Sequence, residues 1–163
     1  MRIIGLWILL LVVSYALQTS LFTFVSFDGF SPNLMLLLSV SVAFLRGHEK
    51  GACFGFMAGL LQDSATGSYF GLATFSYMTI GLIFGKFSVN LFRDQSLLPV
   101  ISSLPALAIH FAGTITFLFL LGYQIDVMKF LKFDFCPAAI MQIVLAYPVH
   151  RLILALNEFS KRR

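Results

Sequence analysis

Between Gly51 and Gly71 the chain reads G-ACF-G-FMA-G-LLQD-SAT-G-SYF-G, with glycines at 51, 55, 59, 67 and 71 and one carboxylate, Asp63, in an otherwise apolar tract. Four-residue spacing puts Gly51, Gly55 and Gly59 on one face of a helix. A face without side chains lets another backbone come close. In lipid, where the tails are as apolar as leucine, such close packing is a main source of helix association. An acid at that depth is expensive and ordinarily has a role. The tract is suited to intramembrane packing around a polar point, with Gly51, Gly55, Gly59, Asp63, Gly67 and Gly71 as candidates for the packing or partner-facing surface.

The rest of the chain agrees with a lipid setting. Of 163 residues, 59% are hydrophobic and only 11% charged, against roughly 25% charged in a soluble domain. The apolar runs are too long, and too little alternating, for barrel strands. The expected class is therefore all-α, a polytopic membrane helix bundle. No hydrophilic stretch long enough for a second domain interrupts it, so residues 1–163 read as one integral membrane domain. The apolar run after Arg2 extends beyond a signal-peptide core and lacks a small-x-small cleavage site, so it reads as a retained first span.

Six spans are predicted, at about 3–25, 32–46, 50–62, 68–86, 97–121 and 135–156. The second and third are short: fourteen residues rise only about 21 Å, against a hydrocarbon core about 30 Å thick. A hairpin that does not fully cross is the rival reading for this pair. Charge placement favours six crossings. With the N-terminus in the cytoplasm, Arg2, Arg46, Lys50, Lys86, Arg93, Arg151, Lys161, Arg162 and Arg163 fall inside, and Lys129 and Lys132 outside with Asp28, Asp63, Asp126 and Asp134. That is the positive-inside bias, with both termini cytoplasmic. It also accounts for the net charge of +4, which needs no nucleic-acid partner because no basic patch is interleaved with aromatics.

Short spans leave helix ends below the surface, where irregular backbone must be covered or line a wet cavity. The sequence thus suggests an outer recess built from Pro32, Asn33, Gln62 and Asp63, with Ser31 capping the second helix and Pro32 at its first position. For Asp63 three roles stand open: a solvated acid capping the turn before Gly67, an intramembrane polar contact, or ligand or proton work. His110 is expected to bond a neighbouring backbone or hydroxyl group, and His150 to sit among headgroups. Ser39, Ser41, Thr74 and Ser76 are expected to bond within or between helices.

Catalytic chemistry finds no foothold. There is no carboxylate pair, no G-x-S-x-G, no P-loop and no HxxxH or HExxH. Neither Cys53 nor Cys136 has metal-ligand spacing. No enzyme, metal or cofactor is expected.

One family shares this order of features. Pro32-Asn33-Leu34, the charged turn Arg46–Lys50, Gly51/Gly55/Gly59-Leu60-Leu61-Gln62-Asp63, Gly67-x3-Gly71-Leu72 and the run from Thr74 to Gly81 and Gly85 resemble the pattern of the rod shape-determining MreD family, in which Asp often stands where this chain has Asn33. The resemblance implies a non-enzymatic subunit of the cell-elongation machinery in the bacterial inner membrane. It implies association with MreC, a single-span protein, and through it with actin-like MreB, a SEDS glycosyltransferase and a penicillin-binding transpeptidase. It also implies a fold similar to the substrate-binding subunits of energy-coupling-factor transporters, six helices with an outward-facing pocket. A vitamin-like ligand in the recess of a transporter subunit is the rival function, though few hydrogen-bonding groups converge there in the sequence. A lipid-linked precursor touching Asp63 and Asn33 is a third.

Overall fold

A computed structural model describes residues 2–25, 33–66, 70–90, 98–123, 126–130 and 135–161. Ser31, Pro32 and Gly67 lie outside the described residues, as do Asp28, Arg93, Lys132, Asp134, Arg162 and Arg163. The helices are α1 (Arg2–Val25), α2 (Leu34–Arg46), α3 (His48–Thr66), α4 (Leu72–Asn90), α5 (Leu98–Leu120), α6 (Val127–Phe130) and α7 (Cys136–Lys161), with no strand among the described residues. The six long helices fall on the six apolar segments. The short α6 was not foreseen; four residues carry no periodicity. Val100–Leu120 and Cys136–Asn157 are each long and apolar enough to cross a membrane, while the apolar stretches of α1, α2 and α4 are shorter.

At the centre stands α2. Every residue from Leu34 to Phe44 is buried, and α1, α3, α4, α5 and α7 all pack against it. A helix apolar all round belongs in the middle of a bundle. Its serines do not contradict this: Ser39 Oγ donates to the Met35 carbonyl at 2.8 Å, so burial orphans no hydroxyl there.

Two boundaries differ from the sequence reading. The N-cap of α2 is Asn33, whose side-chain oxygen accepts from Leu36 N at 3.1 Å, so the cap lies two residues beyond Ser31. The charged segment Arg46–Lys50 is not a loop. α2 stops at Gly47 (φ 84°, ψ −179°), whose N–H bonds the Ala43 carbonyl. The Gly47 carbonyl in turn accepts from Gly51 N at 2.9 Å. Only glycine takes that conformation at ordinary cost. The chain reverses over this one residue, and His48, Glu49 and Lys50 form the first turn of α3. That helix has 19 residues and rises about 28 Å, so the third segment is not short. Polar residues had hidden its ends. Of the pair, only α2, at 13 residues, stays short.

The glycine stripe meets α4. A methyl group built on Gly51 would stand 2.7 Å from Ala43 Cα of α2 and 3.1 Å from the Gly81 carbonyl oxygen, one on Gly55 2.3 Å from that of Tyr77, and one on Gly59 2.3 Å from Thr74 Cα. The contact is reciprocal: Gly81 faces the Gly51 backbone, and Gly85 faces His48. The α4 partners recede by about four residues for each four-residue advance on α3. This is antiparallel packing with backbone against backbone. The stripe is thus consumed within the chain, and Gly71 is not part of it. Gly71 sits in the turn before α4 at φ 103°, with nothing within 4 Å of a methyl group there.

Arg46 closes one end of the bundle. Its guanidinium lies 4.3 Å from the centroid of the Trp7 ring in α1, and its Nε donates to Asn157 Oδ1 in α7 at 3.1 Å. The start of α1 and the ends of α2 and α7 therefore share one end. The contact of Gly85 with His48 brings the end of α4 there too.

Gly55→Ala is expected to destabilise the chain by about 1–3 kcal/mol, because the obstructing atoms are backbone and cannot swing aside. Gly5→Ala, where a methyl group meets nothing within 4 Å, should be neutral or slightly stabilising. Thermal unfolding of both variants in detergent, followed by circular dichroism, checks the contrast.

Candidate functional site

Opposite the Arg46 end, the α3 terminus carries Asp63, 5% exposed. Its carboxylate reaches across to the first turn of α4. Oδ1 accepts from Ala73 N at 3.0 Å, and Oδ2 from Gly71 N at 3.0 Å, Thr74 N at 2.9 Å and Thr74 Oγ1 at 2.5 Å. The first N–H groups of a helix have no partner within it and carry the positive end of its dipole. An acid there, held by a neighbouring helix, satisfies those donors and meets the dipole with a charge of the right sign. Asp63 is therefore an interhelical cap. It is buried rather than solvated, and both oxygens are already engaged. Thr74, read from the sequence as a generic helix–helix contact, completes the cap.

The same end holds a recess of about 200 Å³ between α3, α4 and α5, lined by Asn33, Gln62, Asp63, Thr66, Tyr77, His110 and Thr114 among others. Asn33, Gln62 and Asp63 thus line one recess. Asn33 Nδ2 donates to the Tyr77 hydroxyl, and Gln62 Oε1 accepts from Gln18 Nε2 of α1 at 3.3 Å. Gln18 Oε1 accepts from Met35 N at 3.3 Å, so α2 has two caps, one local and one from α1. His110 makes no such bond: its Nδ1 is buried without a hydrogen-bond partner, and its ring tilts against Tyr77 at 5.3 Å. His150, expected among headgroups, is instead buried in α7 at 3% exposure.

Gln18, Tyr77 and Thr114 were missed. Gln18 had a signal, being the one side-chain amide in the long apolar run of α1, and the reasoning that singled out Asp63 applies to it. Tyr77 continues the four-residue step of Gly81 and Gly85. Thr114 gave no signal; its hydroxyl returns to the His110 carbonyl at 2.9 Å.

Beside the engaged Asp63 carboxylate, the recess offers neutral donors and acceptors and no nucleophile–base pair among the described residues. No group of three or more His, Cys, Asp or Glu placed to hold a metal occurs among the described residues. Its volume falls below the roughly 300 Å³ at which small-molecule sites usually begin.

Compared with known proteins, the profile of the family described as rod shape-determining protein MreD matches residues 1–159. The chain belongs to the MreD family. No curated protein and no solved structure matches it. Membership carries a role in rod shape determination, in a membrane protein of the rod complex with MreC and MreB, from a family not known for enzymes. Within the MreD pattern, the Gly-x3-Gly-x3-Gly run and its Asp thus have separable tasks here. The glycines admit α4, and Asp63 caps it.

Asp63→Ala would orphan three backbone donors, each costing about 1–3 kcal/mol if left unpaired. Asp63→Asn retains one acceptor and should lose less. The expected order of melting temperature is wild type, then Asp63→Asn, then Asp63→Ala, with faster amide exchange at Ala73 and Thr74. A melting temperature for Asp63→Ala equal to wild type would remove the cap from the account.

Proposed function

We propose that this chain is a non-enzymatic scaffold of the rod complex that receives the transmembrane helix of a single-span MreC-like protein. Through that partner it supports MreB, a SEDS glycosyltransferase and a penicillin-binding transpeptidase in lateral peptidoglycan synthesis. It lies in the bacterial inner membrane as a six-span bundle with both termini in the cytoplasm. The Arg46 end, where Lys50 and Lys86 also lie, faces inward and the Asp63 end outward, in line with the positive-inside bias.

The observation that carries this reading is an apolar cleft of about 250 Å³ between α1, α2 and α7, lined by Leu17, Leu34, Leu38, Leu145, Val149 and Leu152. Here the central helix α2 borders an opening whose lining is almost wholly apolar. The glycine face of α3, the first candidate for the partner surface, is occupied by α4 and is not free to dock. The outer recess supports the vitamin-transport reading less well, because it is small and its polar groups largely bond one another.

Leu17 and Leu152 are 41% and 54% exposed, so enlarging them fills the cleft without overpacking the core. Leu17→Trp with Leu152→Trp is expected to cut co-purification of the MreC-like partner about tenfold, equivalent to ~1.4 kcal/mol. Phe75→Trp on α4, 69% exposed, should leave it unchanged. The partner truncated to its membrane span alone should still co-purify. Undiminished association of the double variant would count against the cleft. Mass spectrometry finding a stoichiometric metabolite and no partner would favour transport.

A further inference from the structure

A second groove, about 180 Å³, opens at the Arg46 end between α1, α2 and α3. Its walls are Leu11, Val42, Phe54 and Met57, and its mouth carries Trp7, Arg46 and Lys50. From Lys50 to Met57 the groove follows α3 for seven residues, about 10 Å. It takes no part in the recess, the Asp63 cap or the partner cleft.

We propose that this groove binds one anionic phospholipid, with the phosphate at Arg46 and Lys50 and an acyl chain along Leu11, Val42, Phe54 and Met57. Three observations carry the assignment. The lining pairs an apolar trough with two cations at one end and, among the described residues, includes no carboxylate, which is the polarity of an anionic lipid read from headgroup to tail. Arg46 is not a loosely snorkelling side chain. The Trp7 ring and Asn157 hold it at the mouth, and a pre-positioned planar guanidinium suits phosphate better than a mobile ammonium does. Charge decides between occupants. An anionic lipid brings a phosphate to the two cations at the mouth and an apolar chain to the trough, a pairing that an apolar partner helix does not offer. A free phosphate would use the mouth and leave the trough uncovered. Lys50, exposed at the start of α3, adds the second charge.

Trp7 is the only tryptophan in the chain, so its fluorescence reports this groove. The full chain is reconstituted in phosphatidylcholine vesicles containing increasing amounts of phosphatidylglycerol brominated on its acyl chains, or of equally brominated phosphatidylcholine. Phosphatidylglycerol is expected to reach half-quenching at about tenfold lower mole fraction, from two basic residues acting together. Lys50→Gln, at an exposed position, should weaken that preference severalfold without changing the melting temperature. Arg46→Gln with Lys50→Gln should abolish it, and native mass spectrometry of the wild type should retain one phosphatidylglycerol. Equal quenching by the two lipids would show ordinary annular contact and overturn the proposal. So would inorganic phosphate, added to vesicles of phosphatidylcholine alone, if it changed Trp7 emission as strongly as phosphatidylglycerol does.

Discussion

The bundle depends on the contact of one bare backbone with another. α3 and α4 lie so close that a single added methyl group at Gly55 or Gly59 would fall within 2.3 Å of main-chain atoms. Where lipid is the solvent, apolar contact between helices gives no net transfer energy. Dispersion at short range, together with paired polar groups, must hold the elements. The glycines supply the short range, with Gly81 and Gly85 matching them from α4. The rigid pair then gives α2 a flank to pack against, and α2 serves as the post for α1, α5 and α7.

Polar groups complete what the close packing begins. At the end where α2 and α4 start, three side chains satisfy the opening N–H groups of those helices: Asn33 from within α2, Gln18 from α1 and Asp63 from α3. In water such donors would be solvated at little cost. In a hydrocarbon layer each needs a partner, and the sequence provides two of them from neighbouring helices, so each of those caps is also a tertiary tie. At the other end Arg46 joins α1, α2 and α7. The two ends are chemically unlike: one is a hydrogen-bonded recess whose acid caps a helix N-terminus, and the other is basic.

Composition and run lengths made the all-helical membrane class and its six long segments legible. The glycine period made a close helix–helix contact legible, though not its partner, since spacing on α3 is silent about which backbone opposes it. The Gly81 and Gly85 step on α4 held that answer and becomes meaningful only once the antiparallel pairing is known. The recess could be assembled from Asn33, Gln62 and Asp63 because polar residues at the ends of apolar runs are conspicuous. Tyr77, His110 and Thr114 joined it from α4 and α5, and only the packing of those helices brings them there. Helix limits failed where polarity was mistaken for a turn: His48 to Lys50 are helical because Gly47 alone suffices for the reversal.

The single-residue joint at Gly47 bears on how the protein is made. A helix of 13 residues, rising about 20 Å, is too short to settle in a hydrocarbon core about 30 Å thick without help. During synthesis α2 would leave the ribosome before any of the neighbours that later bury it, apart from α1. Joined through one glycine to the longer α3, it is tied from the start to a helix that packs along it. A lengthened joint would loosen that tie, so the one-residue connection at Gly47 keeps the short central helix beside its longer neighbour.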